Sequence, residues 1–248
     1  MNISDNAAPS RPKLPEWTLT VVEAFNVTPK MRRVIVTTDN IEAFNYQAGQ
    51  ALVMQIPLGD GETGRRDYTI RALDKAKKHI ALDFVLHGTT PAPTWAGNVK
   101  AGDTITARGP RGRTVFNPSA DWHLLTGDET CIPAILHIIE TMHAGTRVFA
   151  FIEVANAEEQ QPFETQADAK VEWINREGQH AGPSSIVLDQ VSAFQFPEGI
   201  GHAYLIGETS NVRALRHHLI DRGFNRNQIA SEGYWRPGRV GGHDHVDD

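Results

Sequence analysis

The stretch RRDYTIRALD, residues 65–74, sets three arginines, a tyrosine and a threonine into a β-strand pattern. Alternation along a strand puts Arg66, Tyr68 and Ile70 on one face and Asp67, Thr69 and Arg71 on the other. A tyrosine ring can stack on a flat heterocycle, a threonine hydroxyl can bond to its edge, and a guanidinium can grip a pyrophosphate through two parallel hydrogen bonds. The same residues would also suit an exposed edge strand studded with arginine.

Four further stretches carry chemistry. DFVLHGTTPAPTWAGNVKAGD, residues 83–103, ends a strand and enters a turn of small residues. Backbone N–H groups there, helped by Thr94, can cradle an anion, although Pro93 removes one donor. His87 taken alone reads as a packed polar residue at a strand end. GDETCIPAI, residues 127–135, is a strand turning into a helix. Gly127 permits close backbone approach, Thr130 can cap the helix, and the helix N-terminus offers N–H groups to an anion; capping alone also accounts for Asp128, Glu129 and Thr130. Cys131 reads as a small packed residue, since no base can be paired with it. GETSNVRALRHHL, residues 207–219, repeats the strand-to-helix form with Thr209 or Ser210 as cap. Its adjacent histidines, His217 and His218, point about 100° apart on a helix and make a poor metal pair, so a solvated face is expected. EGYWRPGRVGG, residues 232–242, sets Tyr234 and Trp235 beside Arg236 and Arg239. That suits a planar or anionic aromatic partner, or simply a C-terminal strand with a packed tryptophan. The terminal HDHVDD could be drawn as a metal site, but a glycine-led terminal segment of this kind predicts disorder, and no metal site is assigned.

These residues need a frame. Six β-branched segments between Trp17 and Arg108, separated by Pro29, Gly49 and glycine-aspartate turns, predict a six-stranded antiparallel barrel over residues 15–117. From WHLLTG onward, strands alternate with helical patterns, which predicts a mostly parallel α/β sheet over residues 118–240. Asn117-Pro118-Ser119 marks the change. Residues 1–14 read as a flexible arm and residues 241–248 as a disordered acidic tail. Chemistry is expected between the halves, beyond the carboxyl ends of the parallel strands.

Composition excludes several classes. The 248 residues carry 24 Lys+Arg against 30 Asp+Glu, a formal net charge of -6, so no general affinity for nucleic-acid backbone is expected and any anion site must be local. One cysteine rules out an intrachain disulfide framework and a cluster held by four thiolates, and points to a reducing, cytoplasmic setting. No apolar run approaches the roughly 20 residues of a membrane span, and the N-terminus lacks the apolar core of a signal peptide.

The five motifs, in this order from about Leu19 to Arg239, resemble those of the siderophore-interacting proteins, ferredoxin-reductase-like flavoproteins that reduce ferric siderophores. The resemblance implies that Tyr68 and Thr69 contact the flavin of an FAD, that Arg71 assists at its phosphates, and that Arg66 faces cofactor or substrate. It implies further cofactor contacts from Asp83, Val85, His87, Ala92, Thr94 and Trp95. Asp128, Glu129 and Thr130 would meet the nicotinamide nucleotide, with Tyr234 and Trp235 at the flavin. The electron donor would be NADH or NADPH, or a reduced ferredoxin. Glu153, Glu158 and Glu159 are placed to bind a ribose hydroxyl, which favours NADH. A ferric siderophore, often anionic, would meet Arg111, Arg113, Arg236 and Arg239, with Lys30 and Arg32 as weaker candidates. No residue need act as general acid or base, so the catalytic set is empty, and the protein is expected to work as a monomer. The alternatives are another flavin or quinone reductase, or a siderophore-binding protein without catalysis.

Overall fold

The computed structural model describes residues 13–246; most of the arm expected over residues 1–14 lies outside them, as do the last two residues of the tail. Strands β1 (Glu16–Thr28), β2 (Met31–Thr37), β3 (Ala51–Gly59), β4 (Glu62–Asp74), β5 (His79–Val85) and β6 (Thr104–Arg111) close into a barrel in the order β1-β2-β5-β4-β3-β6. Every neighbouring pair is antiparallel. Alternation makes the core: Leu19 and Val21, Val34 and Val36, Leu52, Met54 and Ile56, and Ile80, Leu82 and Phe84 all point inward and are buried. Between β5 and β6 the chain forms helix α1 (Pro91–Asn98). Only a turn was expected here, but Pro91 sits in the first turn, where its missing N–H costs nothing.

After a linker the second half adds β7 (Trp122–Gly127), α2 (Ile132–Glu140), β8 (Arg147–Val154), β9 (Asp168–Asn175), α3 (Ile186–Ala193), β10 (Gly201–Glu208), α4 (Thr209–Asp221), β11 (Ile229–Trp235) and β12 (Asp244–His245). The sheet runs β12-β11-β10-β7-β8-β9. Strands β7 to β11 are parallel and β12 pairs antiparallel with β11. Strand order reverses between β7 and β10, so a crevice opens at their carboxyl ends. The tail expected to be disordered is instead tied down: β12 extends the sheet, Val246 is buried, and the Ser231 hydroxyl donates to the Val246 carbonyl at 2.6 Å.

Helix α2 locks the halves together. Three consecutive residues of β4, Thr69, Ile70 and Arg71, are buried, because the barrel covers one face of the strand and the α/β half the other. Arg71 donates from both terminal nitrogens to Glu140 of α2, at 2.5 and 2.7 Å. His137 lies one turn earlier, and its Nδ1 is 2.7 Å from the Ile70 carbonyl while its Nε2 is 3.1 Å from the Tyr46 hydroxyl. A carbonyl can only accept, so Nδ1 carries the proton and the Tyr46 O–H donates to Nε2. Burial, with the nearby Arg71 charge, lowers the His137 pKa and keeps the ring neutral. Further along, the Thr28 hydroxyl donates to Glu159 at 2.5 Å, joining β1 to the turn after β8.

Arg71→Met should therefore cost folding stability, by about 2–3 kcal/mol. That is below the roughly 3–5 kcal/mol for removing one partner of a fully buried pair, because Glu140 remains partly in water. Arg71→Met with Glu140→Leu should recover most of the loss; urea unfolding midpoints measure both, and a single variant as stable as wild type would show that the pair does nothing for the junction.

Acid should weaken the fold before the carboxylates titrate. His123 is pushed down to about 4 by burial and by the neighbouring His202, and His137 and His202 are also lowered by burial. The unfolded chain takes up these protons near pH 6.5 and the folded chain does not, so stability is full above that value and falls as pH drops towards 4. Thermal unfolding between pH 7.5 and pH 5 should show the decline, and His123→Phe should make it shallower. A flat profile for the wild type would contradict the neutral, buried state of these rings.

Candidate functional site

One cleft runs between the barrel and the crevice of the α/β sheet, with a volume of about 1280 Å³ out to its open mouth. The barrel contributes Arg66, Asp67, Tyr68 and Thr69 from β4 and Asp83 and Val85 from β5. His87, Thr90, Ala92 and Pro93 follow at the start of α1. The α/β half contributes Thr130 and Pro133 at the start of α2, and Glu232, Tyr234, Trp235, Arg236 and Arg239 at and beyond the end of β11. Tyr234 of the α/β half and Thr69 of the barrel both line the cleft, on opposite sides of the gap between the halves.

Packing orients the aromatic walls. Tyr68 leans on Phe84 with ring centroids 4.0 Å apart, and burial pushes its phenol well above the ordinary value, so it stays neutral. Burial raises the Tyr234 phenol in the same way. The indole N–H of Trp235 donates to Asp128 at 2.8 Å. Asp128 also accepts from the Thr130 N–H and hydroxyl and from the Glu208 N–H, so one carboxylate ties together the carboxyl ends of β7, β10 and β11. Burial raises the Asp128 pKa and these donors oppose the rise. Gly127 is required beside it, because a Cβ there would lie 2.5 Å from the Cβ of Cys131. Cys131 is buried and its thiol is pushed well above the usual range by burial and by Asp128, consistent with a packed, unreactive residue.

Two of the carboxylates lining the cleft are neutralised by arginine, and Glu232 is left without an arginine partner among the described residues. Arg33 grips Asp83 at 2.7 and 2.8 Å, and Arg111 holds Asp67 at 2.8 Å. What remains is a basic rim of Arg66, Arg236 and Arg239, with Asp244 of β12 paired to Arg239 and 3.8 Å from Arg236. The terminal segment folds over this rim: Gly241, at φ 78°, lies so close to the Arg66 guanidinium that a Cβ would meet it at 2.3 Å.

Several residues expected at the site lie elsewhere. Arg71 does not line the cleft; its charge is committed to Glu140. Thr94 and Trp95 turn away from the cleft with the far side of α1, and Trp95 packs on Phe84 of the barrel core. The anion nest expected there is thin as well, since Pro91 and Pro93 have no N–H and the Thr94 N–H is spent on the Thr90 carbonyl. Asp128 is a positioning group saturated by protein donors, and Glu129 is bound bidentately by Arg176 at 2.5 and 2.8 Å. Arg176 also takes Glu153 at 3.1 Å, while Glu159 is occupied by Thr28 and the Lys30 N–H, so two of the three acids proposed for a ribose are already engaged. Arg32 donates to the Ala96 carbonyl near the end of α1 and Lys30 is exposed outside the cleft, as is Arg113. The helix caps also differ: Glu208, and not Thr209 or Ser210, accepts from the first amides of α4, and Asp128 caps the turn before α2. Thr90, Pro133 and Glu232 line the cleft without having been singled out, as does His243 of the HDHVDD segment, to which the sequence assigned no metal. Glu232 stood within the EGYWR motif, and alternation with Tyr234 was the available signal.

The residues present fit an FAD. The slot has apolar walls in Val85, Ala92, Pro93 and the aromatic rings, with hydroxyls from Thr69 and Thr130 and the Arg66 guanidinium at one rim for a phosphate.

Comparisons with known proteins agree with this geometry. Residues 53–114 match the siderophore-interacting FAD-binding domain, and residues 120–238 match the siderophore-interacting protein domain. Rv2895c of Mycobacterium tuberculosis is 34% identical over 189 residues, 71% of this chain and 66% of that protein, just under two thirds of its length. The ferric vibriobactin reductase ViuB of Vibrio cholerae is 28% identical over 198 residues, 75% of this chain and 73% of ViuB. The crystal structure of a siderophore utilization protein from T. fusca superposes with a TM-score of 0.84 at 29% identity, covering 92% of this chain and 95% of that one. With the FAD-binding domain in its barrel and the second domain in its α/β half, the chain belongs to the siderophore-interacting protein family.

Proposed function

We propose that this chain is an FAD-dependent ferric-siderophore reductase whose cofactor lies in the cleft shared by the two halves. The observation that carries the reading is the joint lining of one cleft by Tyr68 and Thr69 of the barrel and by Thr130, Tyr234 and Trp235 of the α/β half. When bound, FAD supplies the chemistry of accepting a hydride from NADH or NADPH, or electrons from a reduced ferredoxin, and returning electrons singly. The chain's own residues supply the rest. Tyr68, Val85 and Ala92 wall the ring system away from water, and Thr69 and Thr130 offer hydroxyls at its edge. Arg236 and Arg239 attract an anionic chelate to the mouth, on a protein that is otherwise acidic. Chelated Fe(III) takes one electron and becomes Fe(II), which hard oxygen ligands hold far less firmly, so the chelator is released intact. One hydride accounts for two ferric ions. The prior engagement of Glu153 and Glu159 leaves Glu158 alone of the three acids and weakens the basis for preferring NADH. Ferric siderophores are met after uptake, which supports work in the cytoplasm. None of the described helices is long and apolar enough to cross a membrane.

Anaerobic titration tests the reading. Protein reduced by NAD(P)H should be reoxidised by a ferric catecholate or hydroxamate chelate, with two Fe(II) captured per flavin; a flavin that stays reduced would refute it. Arg236→Ala with Arg239→Ala should raise KM for an anionic chelate about tenfold, equivalent to about 1.4 kcal/mol, and change it little for a neutral one. An equal effect on both chelates would remove the electrostatic role.

A further inference from the structure

We propose that Glu232, His243 and His245 form a divalent transition-metal site at the rim of the cleft, which takes the ferrous ion as it leaves the chelate. The identity of the ion rests on the reductase reading; the site does not. A nitrogen from each ring and a carboxylate oxygen lie within 4.8 Å of one another. His243 Nε2 is 3.3 Å from Glu232 Oε1, close to the spacing of about 3.4 Å between two ligands each about 2.1 Å from a tetrahedral ion. Glu232 and His243 both line the cleft, and His245 is exposed, so an ion can arrive from the cleft and leave to solvent.

The sequence builds this arrangement through strand geometry. In His-Asp-His, alternation puts the two imidazoles on one face and Asp244 on the other, where it meets Arg239 and the Thr209 hydroxyl. The register of β12 on β11 sets His245 opposite Glu232, within the distance of a cross-strand pair. The buried Val246 side chain and its carbonyl bond to Ser231 hold the register.

Charge favours a dication. Two carboxylates, Glu232 and Asp67, face the histidines against one guanidinium, Arg111, leaving one net negative charge. Without metal, Arg111 Nη2, 3.1 Å away, donates to His243 Nδ1, and the Nε2 proton points at Glu232. With metal on Nε2, the ring proton moves to Nδ1, where Asp67 Oδ2 at 3.5 Å can accept it. An outer carboxylate behind a ligating histidine orients the ring and raises its basicity. Imidazole and carboxylate suit Fe(II), whereas Fe(III) prefers the hard oxygens of its chelator, so reduction itself would drive the transfer.

Cobalt(II), added to the full chain prepared without a histidine tag, reports the site through its visible spectrum and needs neither flavin nor electron donor. One ion should bind per chain. His245→Ala and His243→Ala should each weaken binding by at least about tenfold, and the exposed His217→Ala should not. Unfolding curves identical to wild type would show that the variants remain folded, and Glu232→Gln gives the same loss by a change that keeps side-chain size. Absence of binding to the wild type, or equal binding by all variants, overturns the proposal. Anaerobic Fe(II) should displace the cobalt. Failure at hundredfold excess would exclude the ferrous ion even if ferric chelates are reduced, and failure of chelate reduction would leave the cobalt result standing.

Discussion

The structure depends on the contact between helix α2 and strand β4. Arg71 and Glu140 meet through two parallel bonds, and both ring nitrogens of His137 are committed one turn away. Each bond has one allowed direction, because a guanidinium only donates and a carbonyl only accepts. The relative placement of barrel and sheet is thereby set by directional contacts as well as by apolar packing. A cleft whose walls come from two domains can hold a planar cofactor only if those walls keep their spacing, and this junction lies directly beneath it: Thr69 lines the cleft and Arg71, two residues on, anchors the helix.

A second consequence concerns charge. The chain is acidic overall, yet its cleft carries a basic rim. Asp83, Asp67, Glu129, Glu153 and Glu140 each have an arginine partner. Such pairs contribute little net stability, since desolvation offsets most of the attraction. They do hold side chains in place and cancel the field that an anionic chelate or a pyrophosphate would otherwise meet. Arg239 differs on the rim, because its pair with Asp244 stands at a partly exposed position.

The barrel and the parallel sheet were legible because burial of one strand face forces a two-residue period, as in Leu19 and Val21 of β1 or Ile80, Leu82 and Phe84 of β5. The cleft was partly legible, since Tyr68, Thr69, Tyr234 and Trp235 stand in the motifs that carry the family resemblance, although alternation alone would have split each pair between opposite faces. Arg71 was not. Its destination depends on Glu140, 69 residues away, and on a β4 covered on both faces. Glu129 and Glu153 were misleading for the same reason, because their shared partner Arg176 lies on a different segment. Thr94 and Trp95 were placed by the helical turn of α1, which Pro91 and Pro93 disguised as a loop. The tail looked disordered by composition, and only the open edge of β11 explains why two residues of it form a strand.

The central claim is that one FAD is held by both halves at once. FAD affinity of the apoprotein, measured by quenching of flavin fluorescence, tests it with one variant in each wall, Tyr68→Ala in the barrel and Tyr234→Ala in the α/β half. Both should weaken binding by about tenfold or more, as expected when a large aromatic contact is lost. Loss confined to the barrel variant, with full affinity in Tyr234→Ala, would contradict a shared site.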